Sequence, residues 1–204
     1  MSEKCLYFYI FQHPPQSQDL DTSKNTIEKT KLLYFQPSPQ LKCAAIVQSV
    51  RLEENSKEPN TYSIVVNQTV CHPQGGGQPF DTGFIYGKDS QVFQIIDARM
   101  DRDTESIRHI GRFTNGILRE GDVVNIEIDK DKRLLYCRLH TAGHLIDAAL
   151  HLIGYNWEPT KGYHFPNGPY VEYKGSLVQS EVESIKVRLQ EKATDLINQK
   201  VPID

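Results

Sequence analysis

Two histidines in the stretch "HTAGH" are the residues of this chain best suited to chemistry. His140 and His144 are four positions apart. On a helix, both imidazoles would project from one face, close enough to hold one metal ion, and Zn²⁺ takes such nitrogens at about 2 Å. The same spacing also fits a pair of surface or capped histidines, because H-x-x-x-H arises often by chance.

Cys137 and His151 share the helical stripe of this pair. At about 1.5 Å per residue, His144 lies roughly 10 Å along the axis from each of them. One tetrahedral ion cannot bind ligands spread so far along a rigid helix. We therefore expect Cys137 to be a core thiol and His151 an edge residue, with any further ligand coming from elsewhere.

A second unusual stretch is "CHPQGGGQPFDTG", residues 71–83, with Gly75, Gly76 and Gly77 in a row. Glycine costs conformational entropy and packs no side chain, so three together indicate that something approaches this backbone closely. A β-bulge or tight turn is the alternative. A phosphate-binding loop is excluded, since no GKS or GKT follows.

The elements that must position these residues change type near position 129. Residues 1–30 predict a polar extension or linker. Residues 31–128 contain short apolar or alternating runs between turns, which predict a small antiparallel β-barrel that carries the glycine loop. From Asp129 a helix is predicted, ending at Gly154, with a broad apolar arc: Leu134, Leu135, Leu139, Ala142, Leu145, Ile146 and Leu152.

The remainder of residues 129–204 predicts a hairpin and a last helix. The hairpin turns at Asn167-Gly168, and Ser180 with Glu183 form a capping box for the helix. One face of that helix is apolar, and we expect it to dock on the sheet: Val178, Val182, Ile185, Leu189 and Leu196. The fold class is therefore α+β, a small antiparallel barrel followed by an α/β domain with helices on an antiparallel sheet.

Composition narrows the class of protein. The 204 residues are 38% hydrophobic and 24% charged, which suits a globular chain with a core. No apolar run reaches the roughly 20 residues that span a bilayer. The net charge of −3 excludes a bulk electrostatic nucleic-acid binder but allows a local basic patch. The four scattered cysteines are typical of reduced thiols, so we expect a cytoplasmic protein without a signal peptide.

Taken together, "GGGQPFDTG" and "RLHTAGHLI" some 60 residues later resemble the editing domain of alanyl-tRNA synthetase. They resemble still more the free-standing editing proteins of the AlaX family, from roughly Lys31 to the end of the chain. The resemblance implies a β-barrel followed by a zinc-bearing editing domain. It also implies hydrolysis in trans of mischarged tRNA(Ala) carrying serine or glycine, with the acceptor end of that tRNA as partner.

The resemblance also implies roles for individual residues. His140 and His144 would be zinc ligands, and the zinc would place the ester or a water for attack. Gly75, Gly76, Gly77 and Gln78 would contact the substrate, with Gln78 offering both a donor and an acceptor for catalysis. Thr160 would recognise the serine hydroxyl. That last match crosses a loop, and an ordinary loop threonine is the alternative.

One departure concerns the metal site, which the family completes with a downstream C-x-x-x-H. The 204 residues contain no C-x-x-x-H. We therefore expect a folded chain with weakly held zinc and little deacylase activity, restored by a family-like C-terminal segment. Full activity would mean that Cys71, His164 or a partner subunit supplies the ligand. Two alternatives are a homologue of impaired activity that binds RNA or protein, and, less favoured, a fragment of a synthetase.

Overall fold

The computed structural model describes residues 27–36 and 40–200. These described residues form ten strands and two long helices: β1 Lys31–Leu32, β2 Lys42–Leu52, β3 Tyr62–Val66, β4 Gln68–Thr69, β5 Gly83–Tyr86, β6 Val92–Asp101, β7 Ser106–Asn115, β8 Val123–Ile128, α1 Lys130–Leu152, β9 Glu158–Tyr163, β10 Tyr170–Lys174 and α2 Val182–Asn198.

Six antiparallel strands close the predicted barrel in the order β2-β3-β7-β6-β5-β8, so the predicted α+β class is confirmed. Strand β6 shows how the core is filled. Phe93 and Ile95 alternate inward, and a register shift between Ile95 and Asp97 changes the phase so that Ala98 faces inward next. The short strand β1 pairs in parallel with β4 outside this barrel.

Of the predicted extension, residues 1–26 lie outside the described part of the chain. Thr30 at its end is fully buried, and its hydroxyl donates to the carbonyl of Val66 in the barrel. The backbone N–H of Ile107 in turn donates to the Thr30 hydroxyl. The described end of this segment is therefore fastened to the barrel.

Helix α1 begins and ends where the sequence predicts. The Asp129 carboxylate caps its first turn by accepting from the backbone N–H groups of Asp131 and Lys132. At the other end Gly154 has a φ of +100°, which suits glycine, and Tyr155 N–H donates to the Leu150 carbonyl.

The apolar arc of α1 does not coincide with the buried positions of the helix, although Leu139, Leu145 and Ile146 of the arc are half-buried. Leu134, Leu135 and Leu152 are 37%, 42% and 57% exposed. The buried positions lie elsewhere on the helix: Arg133, Gly143, Ala149 and Leu150. Two of these buried residues are Arg133, which has a buried ion-pair partner, and Gly143, which allows a close approach of another element. Hydrophobic periodicity identifies neither residue type as buried.

The structure contains the predicted hairpin, formed by β9 and β10, with Asn167-Gly168 in the loop between them. The predicted capping box before α2 is wrong. Ser180 lies inside a short 3₁₀ helix, Gln179–Glu181, and Glu181 precedes α2 without a side-chain cap.

The apolar face of α2 packs differently from the prediction. The helix lies mainly against α1, while α1 contacts β10. Ile185 is buried, whereas Val178 is 62% exposed and lies before the 3₁₀ helix. Neither described helix is long and apolar enough to cross a membrane.

Candidate functional site

The three consecutive glycines form a tight turn at the end of the barrel. Gly75 and Gln78 exchange two backbone hydrogen bonds of 3.3 and 2.9 Å across the turn. Gly76 and Gly77 between them have φ values of +56° and +76°. Positive φ at both central residues is the requirement of a two-residue type I′ turn. The alternative of a tight turn is therefore correct for the backbone.

Strand β9 makes the close approach that the glycines allow. A Cβ on Gly77 would lie 2.3 Å from the carbonyl oxygen of Gly162, and His164 N–H donates to the Gly77 carbonyl at 2.9 Å. A Cβ on Gly76 would meet only His140, at 3.5 Å from its Cε1. The turn thus lies between β9 and α1, and the predicted contact with substrate stays a prediction.

Gln78 joins this turn to the first predicted metal ligand. The side chain of Gln78 is buried, and its Oε1 lies 2.9 Å from Nδ1 of His140. An amide oxygen only accepts, so Nδ1 of His140 carries the proton and its Nε2 keeps a lone pair. The sequence predicted both residues, and the structure brings them into contact.

His140 lies between two other imidazoles. Its ring centroid is 5.0 Å from that of His144 on α1 and 4.7 Å from that of His164, which follows β9, and both pairs are stacked. His164 had been considered only as one source of a missing ligand. The hairpin therefore adds a third histidine beside the predicted pair.

His164 is seated among glycines of three elements. A Cβ on Gly143 of α1 would lie 2.4 Å from its Cε1, and one on Gly162 of β9 would lie 2.6 Å from its Nε2. A Cβ on Gly77 would approach its Cδ2 to 3.0 Å. Gly143 therefore lets the helix carrying His140 and His144 approach the hairpin.

A buried ion pair fixes the first turn of α1 to the barrel. The Arg133 guanidinium donates to both carboxylate oxygens of Asp81 and, at 2.6 Å, to the Val70 carbonyl. Asp81 also accepts from the His72 backbone N–H at 2.7 Å. Asp81 and Gln78 belong to the same loop, and each holds a residue of α1. Two contacts, two helical turns apart, thus set the rotation of α1.

The second predicted ligand has partners of its own. His144 is largely exposed, and its Nδ1 lies 3.6 Å from Oδ2 of Asp147, one turn along α1. The other oxygen of Asp147 accepts a short hydrogen bond from the Tyr173 hydroxyl on β10. Burial, followed by this hydrogen bond, raises the pKa of Tyr173, so the hydroxyl remains a donor.

Two imidazoles of the cluster, those of His140 and His164, are held neutral. Burial, followed by the neighbouring imidazoles His164, His144 and His72, lowers the pKa of His140 to about 4. Burial, followed by His144, also lowers the pKa of His164, while Asp147 opposes the shift. Neutral imidazole is the form that binds metal ions, so these two residues present nitrogen lone pairs at neutral pH.

The donor chemistry of the two predicted ligands fits Zn²⁺. Each has Nδ1 facing an oxygen acceptor, Gln78 for His140 and Asp147 for His144, which leaves Nε2 for a metal. Among residues 27–36 and 40–200, no group of three or more His, Cys, Asp or Glu is arranged to hold a metal ion. The fit therefore rests on two nitrogens.

Cys71 and Cys137 lie in environments unlike that of a zinc ligand. Cys71 is fully buried, and burial, reinforced by Asp81, raises its pKa, so the thiol keeps its proton. Cys71 is therefore a poor source of the missing ligand. The prediction that Cys137 is a core thiol is wrong, since that residue is exposed on α1. His151 is exposed in the last turn of the same helix.

Thr160 lies on β9, exposed to solvent. Its hydroxyl donates to the Glu172 carbonyl on β10 at 3.1 Å. Its predicted part in recognising a serine hydroxyl stays a prediction. Sequence reasoning gave no role to Asp147, Tyr173 or Arg133. Arg133 precedes His140 by seven positions. This spacing of about two helical turns could have placed Arg133 on the same helix face as His140 from the sequence alone.

Comparisons with known proteins agree on one family. The family described as tRNA synthetases class II (A) matches residues 12–132. An alanine–tRNA ligase of Clostridioides difficile (strain 630) is 29% identical over 162 residues, which are 79% of this chain and 17% of the ligase. The alanyl-tRNA editing protein AlaX-L of Pyrococcus horikoshii is 28% identical over 133 residues, 65% of this chain and 32% of that protein.

A third relative is more similar over a shorter stretch. An alanine–tRNA ligase of Methanospirillum hungatei JF-1 is 39% identical over 92 residues, 45% of this chain and 10% of the ligase. The chain thus spans at most 32% of the length of these three relatives. The resemblance predicted from the glycine loop and the histidine pair is confirmed.

Proposed function

Because the chain belongs to the family of class II (A) tRNA synthetases, we propose that it hydrolyses the ester of mischarged tRNA(Ala) in trans, with Zn²⁺ bound by His140 and His144. The proposed substrates carry serine or glycine, and the partner is the acceptor end of the tRNA. One relative is named as an alanyl-tRNA editing protein and others as alanine–tRNA ligases, which supports an editing activity.

The contact between Gln78 and His140 is the observation that supports this proposal most. It joins the two motifs that carry the resemblance, although they are separated by 62 positions in the chain. Gln78 Oε1 accepts a hydrogen bond from Nδ1–H of His140. His140 therefore keeps the tautomer whose free lone pair is on Nε2, where zinc would bind. Asp147 faces Nδ1 of His144 at 3.6 Å in the same sense.

The proposed reaction gives a separate role to each part of the site. His140 and His144 would hold the ion through ring nitrogens, and Gln78 orients His140 while its NH₂ group remains a donor toward the substrate. The Gly75–Gly77 turn leaves bare backbone beside His140. When bound, Zn²⁺ supplies Lewis-acid charge to the ester carbonyl or lowers the pKa of a water molecule.

The test is a deacylation assay with the full chain, Zn²⁺ and tRNA(Ala) charged with serine, glycine or alanine. We expect weak hydrolysis of the serine or glycine ester by the chain alone and stronger hydrolysis once a family-like C-terminal segment with C-x-x-x-H is added. Hydrolysis should be lost in His140→Ala and His144→Ala and reduced in Gln78→Ala. The Thr160→Val variant would lose activity on the serine ester alone. Equal activity of the two histidine variants and the parent would contradict the proposal.

A second candidate function is binding of tRNA or protein without turnover. It is favoured by the observation that the described residues contain no group of three or more His, Cys, Asp or Glu arranged to hold a metal ion. Structural zinc sites use four protein ligands and catalytic ones commonly three. Tight binding of tRNA(Ala) by the full chain, with no deacylation at any Zn²⁺ concentration, would favour this function over hydrolysis.

A further inference from the structure

Two side chains outside the predicted site hold His144. Asp147 lies three positions after His144 on α1, and Tyr173 comes from β10, 26 positions further along the chain. Tyr173 donates to Oδ1 of Asp147, and Oδ2 of the same carboxylate faces Nδ1 of His144. Three side chains from a helix and a strand thus form a line that ends at the second predicted ligand.

Tyr173 limits the orientation of the Asp147 carboxylate and thereby its contact with His144. An exposed Asp on a helix surface can rotate between several rotamers, and its contact with a residue one turn away is then weak. Here the Tyr173 hydroxyl fixes one carboxylate oxygen, which leaves the other directed at His144. The side chain of Asp147 is 33% exposed, compared with 59% for that of His144. The carboxylate is therefore held by the hairpin rather than by solvent.

The strand places Tyr173 on the correct side of the hairpin. Along β10 exposed and half-buried residues alternate, with Val171 and Tyr173 on the half-buried side and Tyr170 and Glu172 on the other. Gly162 of β9 is paired with Val171, so this side also carries the contacts with Gly77 and His164. The side that packs on α1 is therefore the one that presents the Tyr173 hydroxyl.

We propose that Asp147 and Tyr173 are positioning residues for His144. The carboxylate, oriented by Tyr173, keeps the imidazole proton on Nδ1 and so leaves the lone pair of His144 on Nε2. This inference rests on the proposed function for the purpose of holding a metal, but the tautomer of His144 can be measured without one. A carboxylate behind a metal-binding histidine typically contributes 10–100-fold in metal affinity.

The first experiment reads the tautomer directly, by long-range ¹H–¹⁵N NMR on the metal-free full chain at about pH 8, where an ordinary histidine is neutral. The expected result is a proton on Nδ1 of His144 in the parent chain. In Asp147→Ala this preference is expected to disappear, and in Tyr173→Phe to weaken. A proton on Nε2 in the parent, or the same tautomer in Asp147→Ala, would overturn the proposal.

The second experiment measures affinity for Co²⁺ and Zn²⁺ in competition with a chromophoric chelator. We expect Asp147→Ala to weaken binding about 10- to 100-fold. Asp147→Asn should lose less, since its amide oxygen can still accept from Nδ1. Unchanged affinity in Asp147→Ala would overturn the proposal, whereas a parent chain that binds neither metal would contradict the zinc site of the proposed function and leave the tautomer result to decide.

The matched control is Asp195→Ala on α2. Asp195 faces Lys192 at 3.6 Å with the same three-residue spacing as Asp147 and His144. Its loss should leave both the His144 tautomer and metal affinity unchanged. A circular dichroism spectrum of each variant shows whether α1 remains helical, so that lost positioning is separated from lost structure.

Discussion

The barrel and the helical part of the molecule bury their side chains differently. Inside the barrel, apolar residues such as Phe93, Ile95 and Ile126 are at most 1% exposed. On α1, by contrast, Arg133 and Gly143 are buried alongside Ala149 and Leu150, while Leu135 and Leu152 are 42% and 57% exposed. The barrel thus has a hydrophobic core of its own, and the helix is fixed to it through polar and backbone contacts.

This difference determines how the candidate site is assembled. The histidines lie on the helical side, but the residues that orient α1, Gln78 and Asp81, belong to a loop of the barrel. Hydrophobic burial is non-directional, whereas a hydrogen-bonded ion pair specifies an angle and a register. The site thus depends on a few directional contacts between two parts that differ in how they are stabilised.

The largest effect is expected from removing one partner of the ion pair. Asp81→Ala leaves Arg133 buried and uncompensated, because the two side chains are 1% and 5% exposed. We expect a loss of about 3–5 kcal/mol in the free energy of unfolding, measured in urea. Asp81→Leu combined with Arg133→Met should regain much of that loss. If Asp81→Ala is as stable as the parent chain, the pair is not what fastens α1.

A slightly smaller loss of stability is expected from a cavity in the barrel, and it can be compared with the loss from a leucine on α1. Ile126→Ala opens a cavity in the barrel and should cost about 2–5 kcal/mol in the free energy of unfolding. Leu135→Ala, at a position 42% exposed, should change it by only about 0.5 kcal/mol. Equal losses would show that the leucines of α1 are buried in solution.

The pH dependence of stability should differ between a barrel histidine and a site histidine. His109 is fully buried, bound to Thr69 and to the Ile64 carbonyl, and burial lowers its pKa from 6.5 to about 4. Between these values the unfolded chain binds a proton that the folded chain does not. Stability from this group is therefore complete above pH 6.5 and is lost as the pH falls toward 4.

The slope from His109 should approach about 1.4 kcal/mol per pH unit, and His109→Gln should remove it. His140 has a similarly lowered pKa but is only partly buried, so His140→Gln should remove less of the slope. Urea unfolding at several pH values, with a chelator present, measures both. A larger change in His140→Gln would reverse the ranking of the two regions.

The smallest effects should come from the turn. Gly121→Ala, Gly76→Ala and Gly77→Ala each place alanine at positive φ, for about 1–2 kcal/mol. A Cβ at Gly121 would meet open space, one at Gly76 would make an ordinary contact with His140, and one at Gly77 would lie 2.3 Å from the Gly162 carbonyl oxygen. We expect Gly77→Ala to be the least stable of the three. Gly76→Ala should be about as stable as Gly121→Ala but should lose deacylation, which Gly121→Ala should keep. Equal costs at Gly76 and Gly77 would mean that β9 does not press on the turn.

The barrel, helix α1 and the hairpin could be predicted because alternation, a cap and turn residues are local signals. The pairing of the glycine loop with His140 was reached through resemblance, since contacts across 62 positions leave no local pattern. The buried face of α1 was missed because a charge and a glycine occupy it, and hydrophobic periodicity counts neither. Asp147 and Tyr173 were missed since their roles exist only once hairpin and helix meet.

The seat of His164 has a consequence for how the sequence can change over time. A Cβ added at Gly143 or Gly162 would collide with the His164 ring, whereas a Cβ added at Gly77 would collide with the backbone of Gly162. Positions 143 and 162 are therefore each coupled to position 164, and a smaller residue there would release both. Gly77 would remain fixed. Relatives that carry a side chain at position 143 or 162 should lack histidine at 164. The double variant Gly143→Ala with His164→Ala should be more stable than the single variant Gly143→Ala.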